Sequence, residues 1–178
     1  MIRILSALAF VLALALPAAA APAAGPQLTL ETSKGPVVIQ LRPDLAPNHV
    51  ARIVKLTKEG FYDGVPFHRV IEGFMAQTGD PTGTGTGGSN YPDLKAEFTQ
   101  TPFVRGTVGM ARASDPNSAN SQFFICFGDA SFLNGQYTVF GEVVSGMENV
   151  DKLKRGEGQS GMVRNPDRII KARISGAN

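Results

Sequence analysis

The chain is divided into short β-rich runs, most of them ended by glycine or proline, and only two stretches carry helix signals. Gln27–Thr32 alternates polar and apolar, Ser33-Lys34-Gly35-Pro36 reads as a turn, and Val37–Leu41 is β-rich. Together they predict a hairpin. Pro66–Ile71, Phe74–Thr78, Thr107–Ala111, Gln122–Phe127, Val139–Val144 and Arg168–Ile174 read as further strands. Pro47 can open a helix and Gly60 can close it. Between them Val50, Ile53, Val54 and Thr57 fall at i, i+3, i+4 and i+7, which gives one apolar face. Ser145-Gly146-Met147-Glu148 has the form of a capping box, with Ser at the N-cap and Glu three residues on. The helix it opens carries Val150 and Leu153 inward and stops near Gly156. Thr82–Asn90 holds four glycines and no large side chain, and reads as a loop. Many short strands with turn signals and few helices predict a mostly β, antiparallel fold, a sandwich or a barrel.

The first 20 residues stand apart from this pattern. Arg3 is a positive start, Ile4 to Leu16 is an apolar run of 13 residues, and Pro17 leads into Ala18-Ala19-Ala20. That is the form of a secretory signal peptide, and it is shorter than the roughly 20 apolar residues of a membrane-spanning helix. Cleavage after Ala20 avoids leaving Pro22 at the new N-terminus, and residues 21–26 then form a short Ala/Pro/Gly tail ahead of one domain over 27–178. The expected product is exported, with no stable membrane insertion after cleavage. It has 158 residues, enough to bury about two-thirds of the unfolded chain's surface. Its formal charge falls to +1 with the loss of Arg3, and no basic block stands out, so nothing points to nucleic acid or an anionic membrane as partner.

Several familiar chemistries find no support. Cys126 is the sole cysteine, lies in an apolar strand and reads as a buried small hydrophobe. The two histidines, His49 and His68, make a poor metal set with it, so no metal or cofactor is expected. His49, near the start of the first helix, reads as solvated. His68 precedes Arg69 on a strand, so alternation sends it to the opposite face as a hydrogen-bonded structural residue. The glycine loop lacks the Gly-Lys-Ser/Thr ending of a phosphate loop and opens no helix.

Two longer motifs remain. FHRVIEGFMAQTGD, Phe67 to Asp80, places Arg69 in one segment with Phe74, Met75 and Gln77, and SQFFIC, Ser121 to Cys126, adds aromatic surface. Taken singly, Arg69 would read as a surface ion pair and the apolar residues as plain core. In this order and combination they resemble the active-site signatures of the cyclophilins, the cyclosporin-binding class of peptidyl-prolyl cis-trans isomerases. The resemblance runs from about Gln27 to Ile174.

It implies a closed eight-stranded antiparallel barrel with a helix over each open end. It further implies catalysis of X-Pro rotation by a monomer without cofactor, acting on proline-containing unfolded or partly folded polypeptides. Arg69 matches the arginine thought to hydrogen-bond the prolyl nitrogen and neighbouring carbonyl, and Gln77 matches a polar residue that orients it. Phe74, Met75, Phe124 and Leu133 match the proline pocket. Ala111 and Arg112 match the segment that grips the peptide as an added extended strand. Phe132 and Tyr137 stand where many eukaryotic members carry Trp and His. Both keep an aromatic wall, and both are familiar in bacterial secreted members, which agrees with a periplasmic product. The rival reading is a barrel that holds proline segments as a chaperone or assembly module with little turnover. Such a module would not need the arginine.

Overall fold

The computed structural model describes residues 25–176, so the expected signal peptide and most of the tail lie outside the described residues. The β1 strand (Gln27–Thr32) and β2 (Gly35–Leu41) form the expected hairpin, with Thr32 opposite Gly35. The second strand begins two residues earlier than its β-branched run suggests, because Thr32 Oγ1 donates to the Gly35 carbonyl at 2.6 Å and extends the pairing to the turn. Leu28, Leu30, Val37, Ile39 and Leu41 alternate inward and are buried.

Helix α1 (Pro47–Lys58) buries Val50, Ile53, Leu56 and Thr57, with Pro47 in its first turn as predicted. Ala46 offers it no side-chain cap. Glu97 supplies one from far along the chain, accepting from the Asn48 and His49 amides at 3.2 and 3.1 Å. The same carboxylate lies 2.5 Å from His49 Nδ1. His49 is therefore not solvated as its sequence position suggests; it is fully buried. Burial lowers its pKa, and the Glu97 contact opposes that shift.

Next come β3 (Arg69–Ile71), β4 (Met75–Thr78), β5 (Thr107–Met110), β6 (Phe123–Cys126), a single 3₁₀ turn (Ser131–Leu133), β7 (Val139–Ser145), α2 (Met147–Asp151) and β8 (Ile169–Ser175). The capping box is not formed. Ser145 is drawn into the β7 ladder opposite Val38, and Gly146 takes the N-cap with φ 84°. A Cβ at Gly146 would lie 2.1 Å from the Pro36 carbonyl oxygen, so the strand-to-helix corner needs glycine there.

The eight strands form one sheet in the order β3-β4-β6-β5-β7-β2-β1-β8, every pair antiparallel. The expected closed barrel is not observed: the sheet curls into an open half-barrel, with no ladder between β3 and β8. The reason is local. β3 has three residues, and its outer edge is taken by the segment before β8, through Val70 N–H to Gly161 O at 2.8 Å and Gly156 N–H to Val70 O at 2.8 Å. The sheet ends meet only beyond β3, where Gly64 N–H donates to Ile169 O at 2.7 Å and Phe67 N–H to Asp167 O at 2.8 Å.

Strand alternation then sorts side chains between two cores. Phe123 and Ile125 enter the main core, with α1 against the sheet. Phe124 and Cys126, pointing the other way, join Met75, Phe103, Ala130, Leu133 and Val139 in a second cluster. That cluster is the floor of the site.

Candidate active site

One row of cross-strand neighbours builds the centre. Arg69 pairs with Gln77, Gln77 with Phe124, and Phe124 with Gly109. Partners directly across an antiparallel pair share a face, so guanidinium, amide and ring lie side by side. Gly109 completes the row by absence: a Cβ there would sit 2.7 Å from Phe124 Cζ and 2.6 Å from Phe103 Cε1. The next row brings Met75 opposite Cys126. Phe74 lies in the β3–β4 turn, with its ring 5.2 Å from that of Phe132 on the 3₁₀ turn. Tyr137 meets Phe124 edge-on at 5.8 Å.

These groups line a cavity of about 430 Å³, on which all ten residues singled out from the sequence meet: Arg69, Phe74, Met75, Gln77, Ala111, Arg112, Phe124, Phe132, Leu133 and Tyr137. Phe132 is 63% exposed, so the wall it forms is open to a ligand. Arg112 is committed elsewhere. Its guanidinium donates to Gln136 O at 2.9 Å and Ala113 O at 2.9 Å and lies 4.5 Å from the Tyr137 ring centroid, bracing that wall.

Arg69 is half-buried and held on two edges. Nε donates to the Ser160 carbonyl at 2.9 Å and Nη1 to Gln77 Oε1 at 3.2 Å. Among the described residues no carboxylate pairs with it. The surface ion pair that the isolated residue would suggest is therefore not what is formed, and the charge faces the cavity uncompensated.

Gln77 in turn donates to Gln122 Oε1 at 2.9 Å, and Gln122 Nε2 donates to Gly85 O at 3.0 Å and Gly87 O at 2.8 Å. Gln122 was not among the residues singled out. Its signal was present, since alternation along SQFFIC puts Gln122, Phe124 and Cys126 on one face. The glycine loop it grips walls a second cavity of about 510 Å³, which shares Gln77, Gly85, Ala111 and Arg112 with the first.

Asp80 clasps that loop. One of its oxygens accepts from the Thr82 amide and hydroxyl at 2.8 and 2.7 Å, and the other from the Gly85 and Gly87 amides at 2.7 and 3.1 Å. Burial alone would raise the carboxyl, but the Thr82 hydroxyl and these amides outweigh it and hold the pKa at about 2. Gly87 has no alternative there, because a Cβ would come 2.1 Å from Asp80 Oδ1.

His68 is buried as a structural residue, as expected, but it also reaches the cavity edge. It is 1% exposed beside Gly85, with the Pro66 backbone and the Gln122 side chain as its polar neighbours and neither ring nitrogen in close hydrogen-bond geometry with them. Burial lowers its pKa, which favours the neutral ring. Burial also pushes the Cys126 thiol up to about 12, so it supplies no thiolate at neutral pH. No cluster of three or more metal-ligating side chains occurs among the described residues. The site thus offers one fixed cation, an amide relay and an apolar pocket.

Known proteins resemble this chain in sequence and in fold. A family model described as cyclophilin type peptidyl-prolyl cis-trans isomerase/CLD matches residues 27–174. The chain is 62% identical over 168 residues to a probable peptidyl-prolyl cis-trans isomerase of Brucella suis, covering 86% of each protein. It is 45% identical over 148 residues to a peptidyl-prolyl cis-trans isomerase of Synechococcus elongatus, covering 83% of this chain and 95% of the relative. A Cryptosporidium parvum cyclophilin type isomerase, crystallised in the presence of the dipeptide Ala-Pro, superposes with a TM-score of 0.78 at 31% identity, over 84% of this chain and 98% of that one. A cyclophilin from Hirschia baltica gives a TM-score of 0.74 at 30% identity, over 83% and 73% of the two chains. On the family-model match, the sequence identities and the fold, the chain belongs to the cyclophilin-type peptidyl-prolyl cis-trans isomerases.

Proposed function

We propose that the protein isomerises X-Pro bonds of exported polypeptides, with Arg69 as the group that stabilises the twisted amide. Rotation about a C–N bond with partial double-bond character meets a barrier of about 18–20 kcal/mol. No bond breaks and no proton must leave. The catalyst has to favour the state in which resonance is lost and the prolyl nitrogen becomes basic. Reaching a turnover of about 1–1000 s⁻¹ from about 0.01 s⁻¹ needs roughly 3–7 kcal/mol of differential stabilisation.

The observation that carries this reading is the uncompensated Arg69 guanidinium set beside an apolar pocket in one sheet row. Its Nε edge and one Nη1 hydrogen are engaged by the protein, and the remaining N–H groups are free to meet a peptide. Phe74, Met75, Phe124 and Leu133 take the pyrrolidine, at about 0.8 kcal/mol per buried CH₂. Phe132 and Tyr137 flank it. The Ala111 amide is already bound to Gln122 O at 2.9 Å, so a peptide strand added at Ala111 has to use its carbonyl. Gln77 orients Arg69 through its Oε1.

A protease-coupled assay on an Ala-Pro peptide tests the reaction. Acceleration of two to five decades over the spontaneous rate is expected, following the turnover range above. Peptide binding without acceleration would instead support a holding module. Export rests on the N-terminal pattern of Arg3, the apolar run and the alanine site. Mass spectrometry of protein isolated from its own cells is expected to show a start near Ala21. Retention of Met1 in a soluble cytoplasmic fraction overturns the export reading and leaves the chemistry untouched.

A further inference from the structure

The Arg69 guanidinium is held partly by main chain from the far end of the sequence. Between α2 and β8 the chain folds back along the free edge of β3. Val163 N–H donates to His68 O at 2.9 Å, Val70 N–H to Gly161 O at 2.8 Å, and Gly156 N–H to Val70 O at 2.8 Å. Glu157 N–H closes the turn on Met162 O at 3.1 Å. From that turn the Ser160 carbonyl reaches Arg69 Nε at 2.9 Å, and Met162 reaches the cavity rim.

The segment is fastened at its start. Arg155 pairs with Glu72 in the β3–β4 turn, lies 4.2 Å from the Phe127 ring centroid, and donates to Asp151 O at 3.0 Å and Leu153 O at 2.7 Å. Its close approach to β3 depends on glycine. Gly161 has φ 69°, and a Cβ there would lie 2.4 Å from Ile71 Cγ1. A Cβ at Gly156 would lie 1.8 Å from Gly161 O.

We propose that residues 155–163 form a positioning strap, in which the Ser160 carbonyl fixes the Nε edge of Arg69 and so sets the turnover rate from outside the proline pocket. The proposal rests on Arg69 being the catalytic group. An arginine side chain is flexible, and Gln77 engages only one corner of its planar fork. A second acceptor on the Nε edge fixes the plane and directs the remaining N–H groups at the substrate. A misplacement of about 1 Å can lower a rate by about a hundredfold. The strap meets the pocket only through Met162 at its rim and through Ile71 beside its floor, so its loss lowers kcat far more than it changes KM for a proline peptide.

Three variants of the mature enzyme test this. Gly161→Ala, which forces the strap off Ile71, is expected to lower kcat at least tenfold with KM within about twofold, in the manner of an interaction made only in the transition state. Arg155→Leu loosens the strap without touching β3, and is expected to lower kcat several-fold; it carries the test should Gly161→Ala fail to fold by circular dichroism. Gly161→Ala in an Arg69→Ala background is expected to lower kcat less than twofold further, because two residues acting through one contact are not additive. In NMR spectra the Arg69 Nε–H signal is expected to exchange faster with water in Gly161→Ala and Arg155→Leu. Full kcat in both folded strap variants, or a full additional loss in the Arg69→Ala background, overturns the strap. Full activity in Arg69→Ala itself overturns the catalytic reading beneath it.

Discussion

Arg69→Ala is expected to leave a folded protein whose kcat/KM on a proline peptide is about a hundredfold to a thousandfold lower, the range seen when a preorganised donor is removed. The fold survives because Arg69 is half-buried and bonds only to Ser160 O and Gln77 Oε1. Removing such contacts at a part-exposed site costs about 1–2 kcal/mol of stability. Turnover does not survive, since the variant leaves no cation over the twisted amide: Arg112, the other arginine on the cavity, is spent on Gln136, Ala113 and the Tyr137 ring. Arg69→Lys is expected to stay within several-fold of the alanine variant. An ammonium is a point charge without the planar fork, and it cannot engage Ser160 O, Gln77 and a peptide together. Steady-state kinetics with a circular-dichroism check on the fold decides it. Activity within threefold of wild type in Arg69→Ala removes Arg69 from the mechanism, and the same result in Arg69→Lys shows that the charge suffices without the planar fork.

The second large effect belongs to Asp80. In Asp80→Asn only one oxygen remains to accept, and the new NH₂ faces either the Thr82 donors or the Gly85 and Gly87 amides. Each buried donor left unpaired costs about 1–3 kcal/mol, so a loss of about 3 kcal/mol is expected in urea unfolding at pH 7. The pH dependence has a definite sign. The folded carboxyl titrates at about 2, below its ordinary 3.8. A depressed acid stabilises fully above its unfolded pKa and loses that contribution as pH falls through the folded one. The wild type is therefore expected to lose up to about 2 kcal/mol between about pH 4 and pH 2 through this group, and the Asn variant is not. Activity is expected to fall several-fold, because the loop carbonyls that hold Gln122, and through it Gln77, lose their anchor. Faster amide exchange at Gly85 and Gly87 reports the loosening directly. Equal pH profiles for the two proteins would show that the clasp does not carry this stability.

The strands and the central row were legible because both depend on short-range order. Period-two alternation in Gln27–Thr32 marked the buried face of the hairpin, and the two motifs supplied the residues of one cavity. What was not legible is long-range or made of main chain. Glu97 caps α1 from about 50 residues away, which no local cap signal can announce, and so His49 was misread as solvated. Ser160 acts through its carbonyl, so its residue type carries no sign of it. The capping box failed because a strand ladder and an αL glycine competed for the same corner. Closure of the barrel failed because the short β3 was already paired with a segment that has no strand pattern of its own.

The place of Cys126 bears on how such a protein coexists with its clients. Cys126 sits opposite Met75 across the β4–β6 pair, fully buried in the cluster beneath the cavity, and is the chain's only cysteine. Disulfide exchange requires a thiolate that can reach the partner sulfur, and this one is both protonated at neutral pH and sealed from contact. The exported clients proposed above would bring cysteines of their own over the site, some still seeking partners. Such clients would be bound and released without forming a mixed disulfide with the catalyst, so that on the proposed reading proline isomerisation and oxidative pairing would proceed on one client chain without interfering.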